Sequence, residues 1–260
     1  MNITIHHNTT YFYEHFSKKS IQLIRMTPQN LAHQRVVFWQ LNLPNTSSRG
    51  FDGFNNVCNL LTLQQPHQEL SVLAQGEVHI DNGTEYQIDD SLPALMYLRQ
   101  TELTEPDAAI LAFCQGLQAA SVADLQALSA AILVHMPYQT GITHVGSSAA
   151  EAFALQAGVC QDHTHVFLSC CRVLGIPARY VSGYIYTNST DHLASHAWAE
   201  AYVDGKWYVF DVSNQHYAIQ GHVQLAVGRD YNDAAPIRGV RQGGGLERME
   251  FTVHVSTIDQ

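Results

Sequence analysis

The dipeptide Asp204-Gly205 stands between two runs of alternating character, residues 195–203 and 206–211. Asp-Gly suits a two-residue hairpin turn, because both central positions of a type I′ turn need a positive φ. With these two residues as the loop, Val203 faces Lys206 and Trp198 faces Asp211. His196 then lies on the same face, one diagonal step from Asp211. Diagonal cross-strand neighbours sit ~7–8 Å apart at the backbone, within reach of an aromatic side chain. A slip of one residue would turn every side chain to the opposite face. The turn therefore brings an imidazole and a carboxylate together, in the relation by which a carboxylate fixes a histidine tautomer and supports the imidazolium.

A second constraint lies upstream, at Gly158-Val159-Cys160-Gln161-Asp162-His163. Val166, Phe167, Cys170 and Leu174 follow at three- and four-residue steps, the spacing of one helix face. Gly175 and Pro177 end the pattern, as a helix C-terminus requires. Cys160 is thus expected at a helix N-terminus, where unpaired N–H groups and the helix dipole favour a thiolate. A cysteine there, with a histidine and an aspartate downstream, outlines a nucleophilic site.

The remaining chain supplies a frame. Residues 3–80 read as short β runs (Ile21-Gln22-Leu23-Ile24, Arg35-Val36-Val37-Phe38-Trp39, Val57-Cys58-Asn59-Leu60-Leu61, Val78-His79-Ile80) separated by turn-rich segments, which suggests a sandwich-like unit. Residues 85–105 read as a connector. Helices are expected over 107–135, broken near Gly116 and restarted with Ser121 as cap, and over 147–157. β runs are expected over 179–186, 195–203, 206–211 and 249–255, with Gly243-Gly244-Gly245 as a turn. The division expected is an N-terminal β accessory unit over 1–100 and a catalytic core over 101–260.

The formal net charge of −10 lacks the basic footprint of a nucleic-acid binder. No segment reads as a secretory signal or reaches the ~20 apolar residues of a membrane helix. No nucleic-acid partner and no membrane are expected. The five cysteines form no disulfide framework, which suits a reducing, cytoplasmic setting.

Four blocks carry a family resemblance. They are Gly158-Val159-Cys160-Gln161-Asp162; the run from Cys171 through Leu174-Gly175-Ile176-Pro177-Ala178-Arg179-Tyr180 to Val181-Ser182-Gly183-Tyr184; Ser195-His196-Ala197-Trp198-Ala199-Glu200; and Trp207-Tyr208-Val209-Phe210-Asp211. Together they resemble the core of the transglutaminase-like superfamily, whose bacterial members are often described as cysteine proteases. Val227-Gly228-Arg229-Asp230-Tyr231 and Pro236-Ile237-Arg238-Gly239 resemble the C-terminal part of that bacterial group, and the N-terminal region resembles its accessory β domain. The resemblance implies an α+β, papain-like transglutaminase core with Cys160, His196 and Asp211 as the triad, acting on peptides or proteins. Two departures stand out. Phe210-Asp211-Val212 replaces the family's usual Phe-Asp-Pro, and Asn55 precedes Asn56 where a glycine is usual.

The chemistry so implied is attack of the Cys160 thiolate on an amide carbonyl, with His196 moving protons and Asp211 holding His196. The Cys160 backbone N–H is the first oxyanion donor. Gln161 is a second oxyanion candidate and Trp198 a candidate cleft wall; Tyr184 and Arg229-Asp230-Tyr231 stand further out. Resolution of an acyl-enzyme by water would make a peptidase or amidase, and by an amine a transglutaminase; the residues do not choose. No cofactor or metal is called for. Two other readings remain: an inactive interaction module on the same fold, and a zinc site drawn from Cys160, His163, His165, His192 and His196.

Overall fold

The computed structural model describes residues 1–84, 92–187 and 195–257. Strand β1 (Asn2–Ile24) is the spine of a seven-stranded sheet. Beside it lie β2 (Gln34–Asn42), β3 (Ser47–Phe51), β4 (Val57–Leu63) and β5 (His67–Ile80). β5 pairs antiparallel with the first half of β1 and β4 with its last five residues; β2 lies outside β5 and β3 outside β4. The β1–β5 register breaks between Phe12 and Ser17, so the two halves of β1 carry different neighbours. Leu70, Val72 and Ala74 of β5 share one core with Leu61 and Leu63 of β4 and Ile24 of β1. All of these strands belong to the one seven-stranded sheet, which makes this unit strand-rich as expected.

Where the one β run named before residue 25 was 21–24, β1 runs unbroken for 23 residues. Its inward positions include His7 and Thr9, both buried, so the apolar alternation that marks a strand is interrupted by polar residues. Their polarity is satisfied internally: His7 Nδ1 meets Tyr184 Oη at 2.8 Å and His7 Nε2 meets Thr9 Oγ1 at 2.9 Å.

Four longer helices follow: α1 (Ala108–Cys114), α2 (Val122–His135), α3 (Ala149–Leu155) and α4 (Cys160–Val173). Ser121 caps α2 in a reciprocal pair with Asp124, and Ser148 caps α3 with Glu151. α4 was expected to bury one face. Instead every residue from Asp162 to Arg172 is buried, because the helix is enclosed on all sides. Its polar side chains are matched accordingly. Arg172, for example, donates to the carbonyls of Tyr97, Ala178 and Arg229 and to Thr104 Oγ1.

The second sheet is antiparallel, in the order β8-β7-β6-β9, from β6 (Ala178–Ile185), β7 (His196–Val203), β8 (Lys206–Phe210) and β9 (His222–Gly228). Ala197, Ala199 and Ala201 of β7 turn toward Val166, Phe167 and Cys170 of α4 in one core. The opposite face, with Val181, Trp198 and Val223, packs on Ile3, Ile5, Val78 and Ile80 of the first sheet. The layers are thus helices, core sheet and accessory sheet. A short helix, α5 (Tyr231–Ala234), leads into β10 (Ile237–Gly243) and β11 (Glu247–Thr257). These two strands pair with β1. Residues 237–257, grouped by sequence with the core, therefore belong to the accessory sheet. Among the described residues no helix is long and apolar enough to cross a membrane.

Candidate active site

The hairpin forms in the register that Asp204-Gly205 dictates. Val203 pairs with Lys206 and Ala199 with Phe210, and the loop residues hold φ of 49° and 81°. The ladder stops at Phe210. Asp211 then closes a tight loop through backbone hydrogen bonds with His216, at 2.9 and 3.1 Å. His196, at the start of β7, reaches across so that its Nε2 donates to Asp211 Oδ2 at 2.7 Å. Its other nitrogen, Nδ1, is not engaged by Asp211, and Cys160 adds to the support of the charged ring. Of the three residues that sequence singled out, His196 and Asp211 are joined by a hydrogen bond, and Cys160 and His196 open into one cavity.

Cys160 is the first residue of α4, where an N–H has no carbonyl partner within the helix. Asp162, two residues on, accepts from the Val159 N–H at 2.8 Å and from Thr143 Oγ1 at 2.6 Å. A Cβ on residue 158 would lie 2.7 Å from the Asp162 carboxylate. Gly158 is thus required by the close approach of this capping group. Gln139 N donates to Gly158 O at 2.8 Å, and Gln161 Nε2 donates to Val145 O at 2.9 Å. The loop over 138–147 is thereby tied to the helix start and forms one wall of the cavity. Of the two cleft candidates, Gln161 lines this cavity with its amide donors engaged on the loop. Trp198 is 1% exposed and stacks beside His196, ring centroids 6.1 Å apart, on the side away from solvent.

Asp211 is fully buried, and four hydrogen bonds hold it. Beyond His196, its Oδ2 accepts from Asn214 Nδ2 at 2.8 Å and from His222 Nε2 at 3.0 Å, and its Oδ1 accepts from the Asn214 N–H at 3.2 Å. Burial works against the charge, but His196 and the donated hydrogen bonds outweigh it and hold the carboxyl well below its ordinary range. Burial likewise opposes the His196 imidazolium, but the Asp211 charge and hydrogen bond, followed by Cys160, push it up to about 10. His222 behaves oppositely: burial lowers it, so it is neutral. The Gln220 N–H donates to its Nδ1 at 3.1 Å, so Nε2 carries the proton given to Asp211.

Sequence reasoning missed His222, Asn214 and Tyr138. His222 reaches Asp211 through β9, which pairs with β6, so no local pattern announces it. Asn214 follows Asp211 by three residues, and the Asp-x-x-Asn spacing of a side-chain-capped turn was the available signal. Tyr138 lines the cavity beside the helix start, and burial, then the charges of Cys160, Asp162 and Asp211, push its hydroxyl up to about 12. Of the outer candidates, Tyr231 lines the cavity, Tyr184 is buried against His7, and Asp230 caps α5 while Arg229 pairs with Asp233.

The zinc set does not assemble. His163 commits its ring nitrogens to Met136 O at 2.7 Å and Ser213 Oγ at 2.8 Å, and His165 Nε2 accepts from the Tyr231 N–H at 3.1 Å. His192 lies outside the described residues. Among the described residues, the group of three potential ligands that converges, within 4.8 Å, is His196, Asp211 and His222. Both imidazoles of this group point their Nε2 at a single oxygen, Asp211 Oδ2.

A helix-borne cysteine facing a histidine–aspartate pair on an antiparallel sheet defines the class. Residues 112–212 match the transglutaminase-like superfamily, and residues 3–79 match the bacterial transglutaminase-like N-terminal region. The chain belongs to the transglutaminase-like superfamily. Uncharacterized protein ML0607 of Mycobacterium leprae is 30% identical to it, with 97% of each chain covered. Uncharacterized protein Rv2569c of Mycobacterium tuberculosis is 26% identical over 90% of this chain and 85% of its own. The fold is shared with a "putative cysteine protease" from Cytophaga hutchinsonii: TM-score 0.83 at 21% identity, covering 100% of this chain and 91% of that one.

Proposed function

We propose that this chain is a thiol enzyme acting on amide bonds of peptides or proteins through a covalent acyl-enzyme. The observation that carries the reading is the His196–Asp211 hydrogen bond, with His196 and Cys160 opening into one cavity and the cysteine first in its helix. The Cys160 sulfur attacks the carbonyl carbon, and the carbonyl oxygen takes the negative charge. The Cys160 N–H is one donor for that oxyanion, and the Tyr138 hydroxyl, in the same cavity, is a second. His196 gives its Nδ1 proton to the leaving nitrogen as the C–N bond breaks. It then takes a proton from water or an amine that attacks the thioester and restores the thiolate. Asp211 keeps the ring oriented throughout and supports its charged form whenever His196 holds both protons.

Water as acceptor makes the chain a peptidase or amidase, and an amine makes it a transglutaminase; both share the first half-reaction. All five cysteines are free, which supports a reducing, cytoplasmic setting. The test is incubation of the full chain with a mixed peptide library and a primary amine, read by mass spectrometry. Cleaved or amine-modified peptides are expected from the wild type and not from Cys160→Ala. An unchanged library, together with a Cys160 inert to iodoacetamide, would overturn the reading.

A further inference from the structure

The cavity that holds Cys160 and His196 has a volume of about 370 Å³, enough for a side chain and its backbone. Two features of its walls say what enters it. First, among the described residues no Asp, Glu, Lys or Arg lines it. His7, which does line it, is held neutral at pH 7, lowered to about 4 by burial and then by His6. Apart from the reacting pair, the described residues of the walls offer no charge to pair with a charged substrate group, and burial of an unpaired charge there is costly.

Second, the accessory sheet brings an apolar stripe into the cavity. The inward stripes of β1 and β11 begin in the core between the sheets, with Ile5 opposite Val255 and His7 opposite Val253. They continue in the same register as Thr9 opposite Phe251 and Tyr11 opposite Met249. These last four line the cavity, where Phe251 is 50% and Met249 47% exposed. A core stripe that runs on into solvent beside a nucleophile is apolar surface left for a ligand to cover.

We propose that the accessory sheet is a specificity element, and that Phe251, Met249 and Tyr11 receive a large apolar side chain, aromatic or aliphatic, on the acyl side of the bond attacked. This rests on the thiol-enzyme reading. The acyl side is the part that stays in the cavity through both half-reactions, because it is bonded to the Cys160 sulfur until the acceptor arrives. The leaving amine departs after the first.

The experiment uses peptidyl acyloxymethyl ketones identical except for the residue beside the ketone, which is Phe, Lys or Asp, with labelling of Cys160 followed by intact mass. The Phe probe should label about tenfold faster or more than the Lys and Asp probes, the range set by filling one apolar subsite. Phe251→Glu and Met249→Glu should each collapse that ratio several-fold, whereas Val240→Glu, on an exposed residue away from the cavity, should leave it as in the wild type. Equal rates for the three probes, or a ratio unmoved by both cavity variants, overturn the specificity assignment while Cys160 still labels. Failure of every probe and of iodoacetamide to label Cys160 overturns the thiol-enzyme reading, and the specificity assignment with it.

Discussion

Asp211→Asn tests the electrostatic logic of the site directly. In the wild type His196 titrates at about 10 against an ordinary 6.5. At 1.36 kcal/mol per pKa unit, that gap is worth about 5 kcal/mol of net preference for the charged ring. Burial works against the charge, so the stabilising contributions exceed this net value, and Asp211 is the largest of them. An asparagine keeps the shape but removes the charge, and burial then prevails apart from the contribution of Cys160. The His196 titration should fall by about three units or more, to the ordinary value or below it. The assay is NMR of ring-labelled histidine across pH 4–11, with the His196 signals assigned through His196→Gln. Stability should follow with a defined sign. A raised histidine pKa contributes fully below 6.5 and is lost as pH rises through about 10. The depressed Asp211 contributes above its unfolded value, so both are present at pH 6. Asp211→Asn should therefore cost about 3–5 kcal/mol in urea unfolding at pH 6, and the deficit should narrow as pH passes about 10. A His196 that still titrates above about 9 in the variant would refute the assignment of its charge to Asp211.

Four further outcomes are expected. Cys160→Ala should abolish turnover and leave the thermal midpoint within a few degrees of wild type, because the side chain is only half-buried; Cys170→Ala should instead keep most activity while losing about 1–2 kcal/mol of stability in denaturant. Asp211→Asn should retain more kcat than His196→Ala, since orienting the ring is only part of what the ring does. His222→Phe removes one donor from Asp211 and concentrates its charge, so the NMR titration of His196 should move upward, opposite to Asp211→Asn. Gly158→Ala should push Asp162 off the helix start and cost about 1–3 kcal/mol, with a matching rise in hydrogen exchange over residues 138–147.

The parts of the site that lie within one short-range motif were legible in the sequence. The hairpin register followed from Asp204-Gly205 alone, because a two-residue turn admits one pairing. The position of Cys160 followed from the apolar spacing after it and from Gly175 and Pro177 beyond. What could not be read depends on order in space. β9 is buried along its whole length, so it shows no alternation, and its pairing with β6 is a crossover that brings His222 under Asp211. β10 and β11 are mostly exposed and return to β1 across more than two hundred residues of chain. Closure of that kind is set by tertiary packing rather than local preference.

The departures from the family pattern show how the structure keeps the site without the expected residues. Asn55 stands where a glycine is usual and holds φ of 62°, a left-handed value that asparagine tolerates better than most residues. The neighbouring Asn56 can then bond both ways with the backbone of Val227, at 2.7 and 2.8 Å, which ties the accessory sheet to β9. After Asp211, Val212 lacks the fixed φ of a proline. The loop is held instead by the Asp211–His216 backbone pair, by Asn214 on Asp211, and by Gln215 Nε2 on Val212 O at 2.7 Å. His163, from α4, adds a bond to Ser213 Oγ at 2.8 Å. That last contact joins the helix carrying Cys160 to the loop carrying Asp211. Cys160 and Asp211 are therefore positioned by one buried side chain as well as by the sheet, and rigidity lost at the proline position is recovered from the helix.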